Sequence, residues 1–464
     1  MKNQLFNDFN SHSNEGWQRQ VINDLKGKGF DETLNFIIEE NFKIKPYFDS
    51  VDLNKIPLNF IQHTQIQGVA KSWNYREIIK YKSEKDTNLL VINLLEIGVN
   101  AFSVDFSGFF EKEFEVKKLL RNIKISDTTF FFKVENAALN LVKELQIIAP
   151  YHWKGGIDND LLGRYFKTGN YDINQWIEMG EIIRIVQNFS SFKTLIINSH
   201  VFHNSGANVA QELAYTLASA IETIDRISEQ NVGLPEIVQK IEFSISVGTN
   251  YFVEIAKIRA LKFLWTKILM QGYGLKEQNI PVISIHCVTS SFYNAAITPH
   301  TNMLRATTEA MSAIIGGCSA LSVRAYDETF QELDEFSRRI SRNISTILKE
   351  ESYFDKVIDP SAGSYFIENL TFQIAEEAFA LLQKVENQGG IVEAFKKNYI
   401  QNEIKRNFEA KQDSLLKNES IMIGVNKFRH DEMPFINEKM VEKEQSTVGF
   451  DLLTDLRLSQ IFEK

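Results

Sequence analysis

The chain has 464 residues, 44% of them hydrophobic, which is enough to bury the core of one large fold with extensions. Its 60 acidic and 51 basic side chains give a formal charge of −9, which argues against wholesale binding to nucleic acid or an anionic membrane. Neither a fibrous nor a disorder-dominated class fits this composition.

The N-terminus, Met1-Lys-Asn-Gln-Leu-Phe-Asn-Asp8, has no apolar signal core and no arginine-rich amphipathic pattern. No later run reaches the roughly 18 apolar residues of a membrane span, so a cytoplasmic location is the expectation. Cys287 and Cys318, far apart in sequence and in apolar or small-residue settings, suit two buried thiols in a reducing compartment.

Residues 1–60 read as an N-terminal arm for subunit contact, carrying Trp17, Leu25-Lys26-Gly27 and Pro46-Tyr47. Gly27-x-Gly29 lacks a preceding strand and a third spaced glycine, so it carries no phosphate-site prediction. From residue 61 to 355, strand-like runs alternate with helix-period segments, the pattern of repeated βα units.

Eight strands are predicted: Ile66–Lys71, Ala101–Phe106, Thr129–Val134, Lys154–Asp158, Thr194–Ser199, Ile241–Val247, Pro281–His286 and Ala320–Ala325. Phe130-Phe-Phe132 and Leu195-Ile-Ile197 are apolar on consecutive positions, as strands covered on both faces are. Between them, Leu213, Leu217, Ile221, Ile224 and Ile227 recur at helical spacing, as do Met303, Thr307, Ala310 and Ile314. One face of each helix is expected against the sheet. The alternation predicts an α/β fold, a (β/α)8 TIM barrel with sites in loops after the strand C-termini; an open doubly wound sheet is the alternative. Residues 356–464 read as a C-terminal helical extension.

The segment 302–368 carries the most specific pattern. It runs Asn302-Met-Leu-Arg305, Gly316-Gly317, Asp327-Glu328, Phe336-Ser-Arg-Arg-Ile340, Arg342-Asn343 and Asp359-Pro-Ser-Ala-Gly363-Ser-Tyr-Phe. With Gly206-Ala207, Glu212-Leu-Ala214, Ala256-Lys257-x-Arg259-Ala260 and Ile423-Gly-Val-Asn426-Lys-Phe428, it resembles the substrate-domain half of the methylmalonyl-CoA mutase family. The resemblance covers roughly residues 60 to 430 and supports the barrel over the open sheet.

In that family, the resemblance implies, a catalytic large chain joins such a barrel to a cobalamin-binding domain whose Asp-x-His-x-x-Gly histidine ligates cobalt. None of His12, His63, His152, His200, His203, His286, His300 or His430 sits in that motif, so no cobalamin-binding domain and no cobalt ligand is expected here.

Three loops depart from the catalytic pattern. Large chains read Gly-Tyr-His-Met-Gln-Glu-Ala-Gly-Ala where this chain has Asn198-Ser-His200-Val201-Phe-His203-Asn204-Ser-Gly206-Ala207, which puts Val201 at the catalytic histidine. Valine has no N–H for a migrating thioester carbonyl. Ile78 stands for the tyrosine that assists radical formation, with Tyr75 on another side of any regular element. Ser284 and Val288 replace the Arg and Gln that flank His286.

The same residues have structural readings. His200 and His203 lack an evident third metal ligand and fit a loop-capping or interface role at a vestigial barrel mouth, with Asn204 and His286. Asp359-Pro-x-x-Gly363 is a turn whose geometry explains it without chemistry. Arg338, Arg339, Arg342 and the Lys257/Arg259 block are expected on salt-bridged helix surfaces or a subunit contact.

Together these features imply a noncatalytic small (beta) subunit that pairs with a large (alpha) subunit as a heterodimer, adenosylcobalamin being bound by the large subunit and no cofactor by this chain. Trp17 and Tyr47 are the expected partner contacts. Two alternatives are an active split mutase that borrows a separately encoded cobalamin domain, and a free-standing CoA-thioester-binding scaffold.

Overall fold

The computed structural model describes residues 13–39, 42–66, 72–107, 109, 115–430 and 449–463. At its centre, eight parallel strands close into a barrel: β1 (Asn74–Lys80), β2 (Ala101–Asp105), β3 (Thr129–Lys133), β4 (Gly155–Asp158), β5 (Phe192–Lys193 and Leu195–Asn198), β6 (Ile241–Val247), β7 (Ser284–Thr289) and β8 (Ala320–Ser322). Each pairs with its sequence neighbours, and β8 pairs with β1. Closure runs through the two segments of β5, the first on β4 and the second on β6.

The fourth strand has little β propensity, and its glycines explain why it forms. A Cβ on Gly155 would meet the Phe130 carbonyl oxygen at 2.0 Å, and one on Gly156 the Lys193 oxygen at 2.2 Å. Only glycine lets β4 approach both neighbours this closely.

The first strand is not where the sequence placed it. Ile66 ends the helix Leu58–Ile66, and residues 67–71 lie outside the described residues. The strand is Asn74–Lys80, whose Arg76 and Glu77 disguise it as surface although both are buried. The seventh strand begins later than expected, at Ser284.

Both expected helices form, as Val209–Ser228 and Pro299–Ile315. Val209–Ser228 starts at a capping box between Asn208 and Gln211. It is buried on more than one face because the long helix Tyr365–Asn387 lies over it and over Tyr251–Lys267. Burial of Lys257 and Arg259 corrects the expectation of a surface for that block.

The arm comprises helices Asn14–Asp24 and Phe30–Leu34 and a hairpin of Phe36–Glu39 with Phe42–Ile44. Buried Ile44 and Phe48 pin it, Phe48 meeting the Phe366 ring edge-on at 5.8 Å between centroids. Helix Asn14–Asp24 buries no residue. At the other end, residues 449–463 cross the loops after β4, β5 and β7, where Leu453 N donates to Phe166 O, Leu456 N to Asn204 O and Leu458 N to Phe292 O. Among the described residues no helix is long and apolar enough to cross a membrane.

Candidate functional site

Ligand chemistry in a (β/α)8 barrel belongs to the C-terminal ends of its strands. Register sets which side chains enter the lumen: Ser284, His286 and Val288 on β7 lie beside Glu242, Ser244 and Ser246 on β6. The alternate residues face outward, as Phe243 does in packing on Trp265.

A buried ion pair crosses the lumen toward the N-terminal ends of the strands. Arg76 on β1 donates from Nη1 to Glu242 Oε1 at 2.8 Å and from Nη2 to Oε2 at 3.1 Å, while its guanidinium lies 3.6 Å from the Phe131 ring centre on β3. Ser284 Oγ also donates to Glu242, at 2.9 Å. Ser284, where the resemblance implies an arginine in the catalytic chains, thus serves this internal ion pair.

After β5 the chain makes a helical turn, His200–His203. Val201 is buried in the main hydrophobic core, and it is His200, one residue earlier, whose imidazole enters the lumen. Its Nδ1 lies 2.6 Å from Ser246 Oγ and its Nε2 2.9 Å from Ser244 Oγ. His286 is within β7 rather than at the rim, with Nδ1 3.2 Å from Ser244 Oγ and Nε2 2.8 Å from Ser322 Oγ. Burial and nearby guanidinium charge hold both rings well below the usual histidine pKa.

His203 lies behind the turn, bridging Glu212 Oε2 at 3.0 Å and Ser290 Oγ at 2.8 Å. Glu212 also accepts from Ser199 Oγ at 2.6 Å and from Lys257 Nζ at 2.8 Å. Lys257 reaches Glu254 at 2.7 Å and the Ser246 carbonyl at 2.8 Å. Although burial opposes its charge, the Lys257 ammonium and His203 hold the Glu212 carboxyl down at about 2. Asn204 accepts from Ser291 Oγ at 3.2 Å and so ties the loops after β5 and β7.

These contacts decide whether the mouth fits the cofactor that the resemblance brings. A cobalt ligand or a donor to a thioester carbonyl needs an uncommitted imidazole nitrogen. His200, His203 and His286 each have both ring nitrogens engaged by protein groups. Ile78 and Val288 add no polar atom, and the three rings do not fit a cobalamin-ligating role. Among the described residues no cluster of three or more His, Cys, Asp or Glu could hold a metal ion.

The sequence markers prove to be braces. Asn302 Oδ1 accepts from Ala295 N at 3.0 Å and Arg305 Nη1 at 2.8 Å, and its Nδ2 donates to Ala295 O and Tyr326 O, both at 2.9 Å. Gly206 sits at φ +100°, and a Cβ there would meet the Phe408 side chain at 2.7 Å. Asp359 is more than a turn residue: with Glu368 it neutralises the fully buried Arg259. Arg338 and Arg342 are mostly buried and lie 3.5 and 3.8 Å from Glu77, while Arg339 stands over Phe336. Tyr75, half-buried, lies beside Glu77 and these arginines, on the opposite face of the strand from Ile78. Cys287 and Cys318 are both buried and free, and the fold makes their thiols neighbours.

In the arm, Trp17 and Tyr47 are brought together, 5.0 Å between ring centres, with Phe30 edge-on to Trp17 at 5.9 Å. Tyr47 is 44% exposed.

Sequence reasoning missed Arg76, Glu242, Ser244, Ser246 and Ser322. The period-two run Glu242-x-Ser244-x-Ser246 was the available signal: polar residues on alternate positions of a barrel strand line its lumen.

The family model of methylmalonyl-CoA mutase matches residues 113–458. The methylmalonyl-CoA mutase small subunit of Porphyromonas gingivalis is 30% identical over 450 residues, covering 92% of this chain and 71% of its own length. The methylmalonyl-CoA mutase of Cereibacter sphaeroides is 28% identical over 461 residues, covering 89% of this chain and 64% of its own length. The small subunit of the Streptomyces virginiae mutase is 26% identical over 447 residues, covering 93% and 70%. This chain thus spans roughly two thirds of those relatives. On these matches the chain belongs to the methylmalonyl-CoA mutase family.

Proposed function

We propose that this chain is the noncatalytic small (beta) subunit of an adenosylcobalamin-dependent methylmalonyl-CoA mutase, working in the cytoplasm. The complex interconverts (R)-methylmalonyl-CoA and succinyl-CoA, as propionate metabolism requires. Its large (alpha) partner, in a heterodimer, holds cofactor, substrate and reacting groups; this chain stabilises that partner by mass action.

One observation carries the reading: the imidazole nitrogens at the lumen and its mouth are used internally. His200, His203 and His286 have protein partners on both nitrogens, and the Arg76 guanidinium is locked on Glu242. Val201, Ile78 and Val288 stand where the family's catalytic chains carry polar side chains. Names of the similar small subunits support the pairing.

The test is succinyl-CoA to methylmalonyl-CoA turnover with adenosylcobalamin, for the chain alone and with its large partner. Activity and co-elution only with the partner are expected. Turnover by this chain alone would overturn the proposal.

A further inference from the structure

Ser246, His200, Ser244, His286 and Ser322 form one unbroken line of hydrogen bonds in the lumen. Successive contacts are Ser246 Oγ to His200 Nδ1 at 2.6 Å, His200 Nε2 to Ser244 Oγ at 2.9 Å, Ser244 Oγ to His286 Nδ1 at 3.2 Å and His286 Nε2 to Ser322 Oγ at 2.8 Å. The line ends where Ser322 Oγ donates to the backbone carbonyl of Arg76 at 2.6 Å.

That last link fixes all the others. A carbonyl oxygen only accepts, and a serine hydroxyl has one proton. Ser322 uses its proton on the carbonyl, so it must accept from His286, whose Nε2 therefore carries a hydrogen. Every hydrogen-bond partner of both rings is a hydroxyl, with no carboxylate to hold a second proton, and burial beside Arg76 and Arg324 disfavours the imidazolium. A neutral His286 has a bare Nδ1, which accepts from Ser244. Ser244 has then spent its only proton and must accept from His200 Nε2. His200 Nδ1 is bare in turn and accepts from Ser246.

We infer that His200 and His286 are both neutral Nε2–H tautomers, members of a single one-way chain that runs from the Ser246 hydroxyl to the Arg76 carbonyl. His203 belongs outside it with the opposite polarity, because the Glu212 carboxylate requires a hydrogen on Nδ1. The chain is a lock and not a relay: its terminal amide carbonyl has no proton to pass on. It joins β1, β6, β7, β8 and the turn after β5, and it leaves neither ring an N–H for a ligand. The inference goes beyond the subunit assignment and holds whichever acyl-CoA the complex converts.

The test is long-range 1H–15N correlation NMR on the full chain labelled at histidine, with signals assigned through His200→Asn and His286→Asn. At neutral pH the two rings should each show the neutral Nε2–H pattern, and His203 a protonated Nδ1. An Nδ1–H or doubly protonated form at either lumen ring overturns the inference, and this readout needs no variant beyond the assignments. Ser322→Ala removes the acceptor that orients the line, so Nδ1–H population should appear at His286 and, through Ser244, at His200. Ser322→Thr, which keeps the hydroxyl, should restore the wild-type pattern. A change confined to His286 would mean two local contacts and no common chain.

Discussion

Arg76 and Glu242 meet across the barrel lumen through two parallel hydrogen bonds of 2.8 and 3.1 Å, on strands separated by two others in the ring. Their side chains are 5% and 3% exposed, so desolvation is nearly complete and each charge depends on the other.

Breaking the pair from one side is therefore expected to be worse than removing both charges. Arg76→Met should lose about 3–5 kcal/mol, because it leaves Glu242 buried with only Ser284. The double variant Arg76→Met with Glu242→Leu should recover most of that loss. Urea unfolding decides it, and equal losses in the single and double variants would sink the argument.

Glu309 predicts a specific pH dependence. It is buried beside Glu254, accepts only from Ser290 N at 3.0 Å, and its Oε1 has no partner among the described residues. Burial above all, with the like charge of Glu254, pushes its carboxyl up to about 8 from an ordinary 4.5. The folded state then keeps a proton that the unfolded state releases, so stability falls as pH rises from about 4.5 to about 8 and levels off beyond. Glu309→Gln keeps an acceptor for Ser290 and removes the titration. Its stability advantage over wild type should grow through that window by up to about 1.4 kcal/mol per pH unit. Parallel pH-stability curves for the two proteins would contradict this.

Asn302→Asp changes shape little but replaces the Nδ2 donor facing the Ala295 and Tyr326 carbonyls with an acceptor. Two buried acceptors lose their donor, for an expected loss of about 2 kcal/mol or more. Hydrogen exchange should quicken in the loops after β7 and β8. Unchanged protection there would show that the brace is dispensable.

The exposed arm should act in association and not in folding. Because helix Asn14–Asp24 has no fully buried residue and Tyr47 is 44% exposed, Trp17→Ala with Tyr47→Ala should leave the isolated chain's thermal melt nearly unchanged. Binding to the large partner should weaken by about 2 kcal/mol or more, roughly thirtyfold, as central aromatic contacts do. Unaltered affinity by calorimetry would remove the arm from the interface.

Much of this protein was legible from local pattern alone. Apolar runs such as Phe130-Phe-Phe132 and the helical spacing from Leu213 to Ile227 determined an α/β alternation with strands covered on both faces, because periodicity reports which faces are buried, while the choice of a closed barrel over an open sheet came from the family markers. The markers from Asn302 to Gly363 pointed to the family. The first strand escaped because it carries Arg76 and Glu77, whose burial depends on Glu242, Arg338 and Arg342, all more than 150 positions away in the chain. Only the tertiary structure decided that His200, not its neighbour Val201, enters the lumen, that Asp359 serves Arg259, and that three histidines have no free nitrogen. Such facts are absent from any sequence window, since a side chain's partners are set by which strands the barrel closes together.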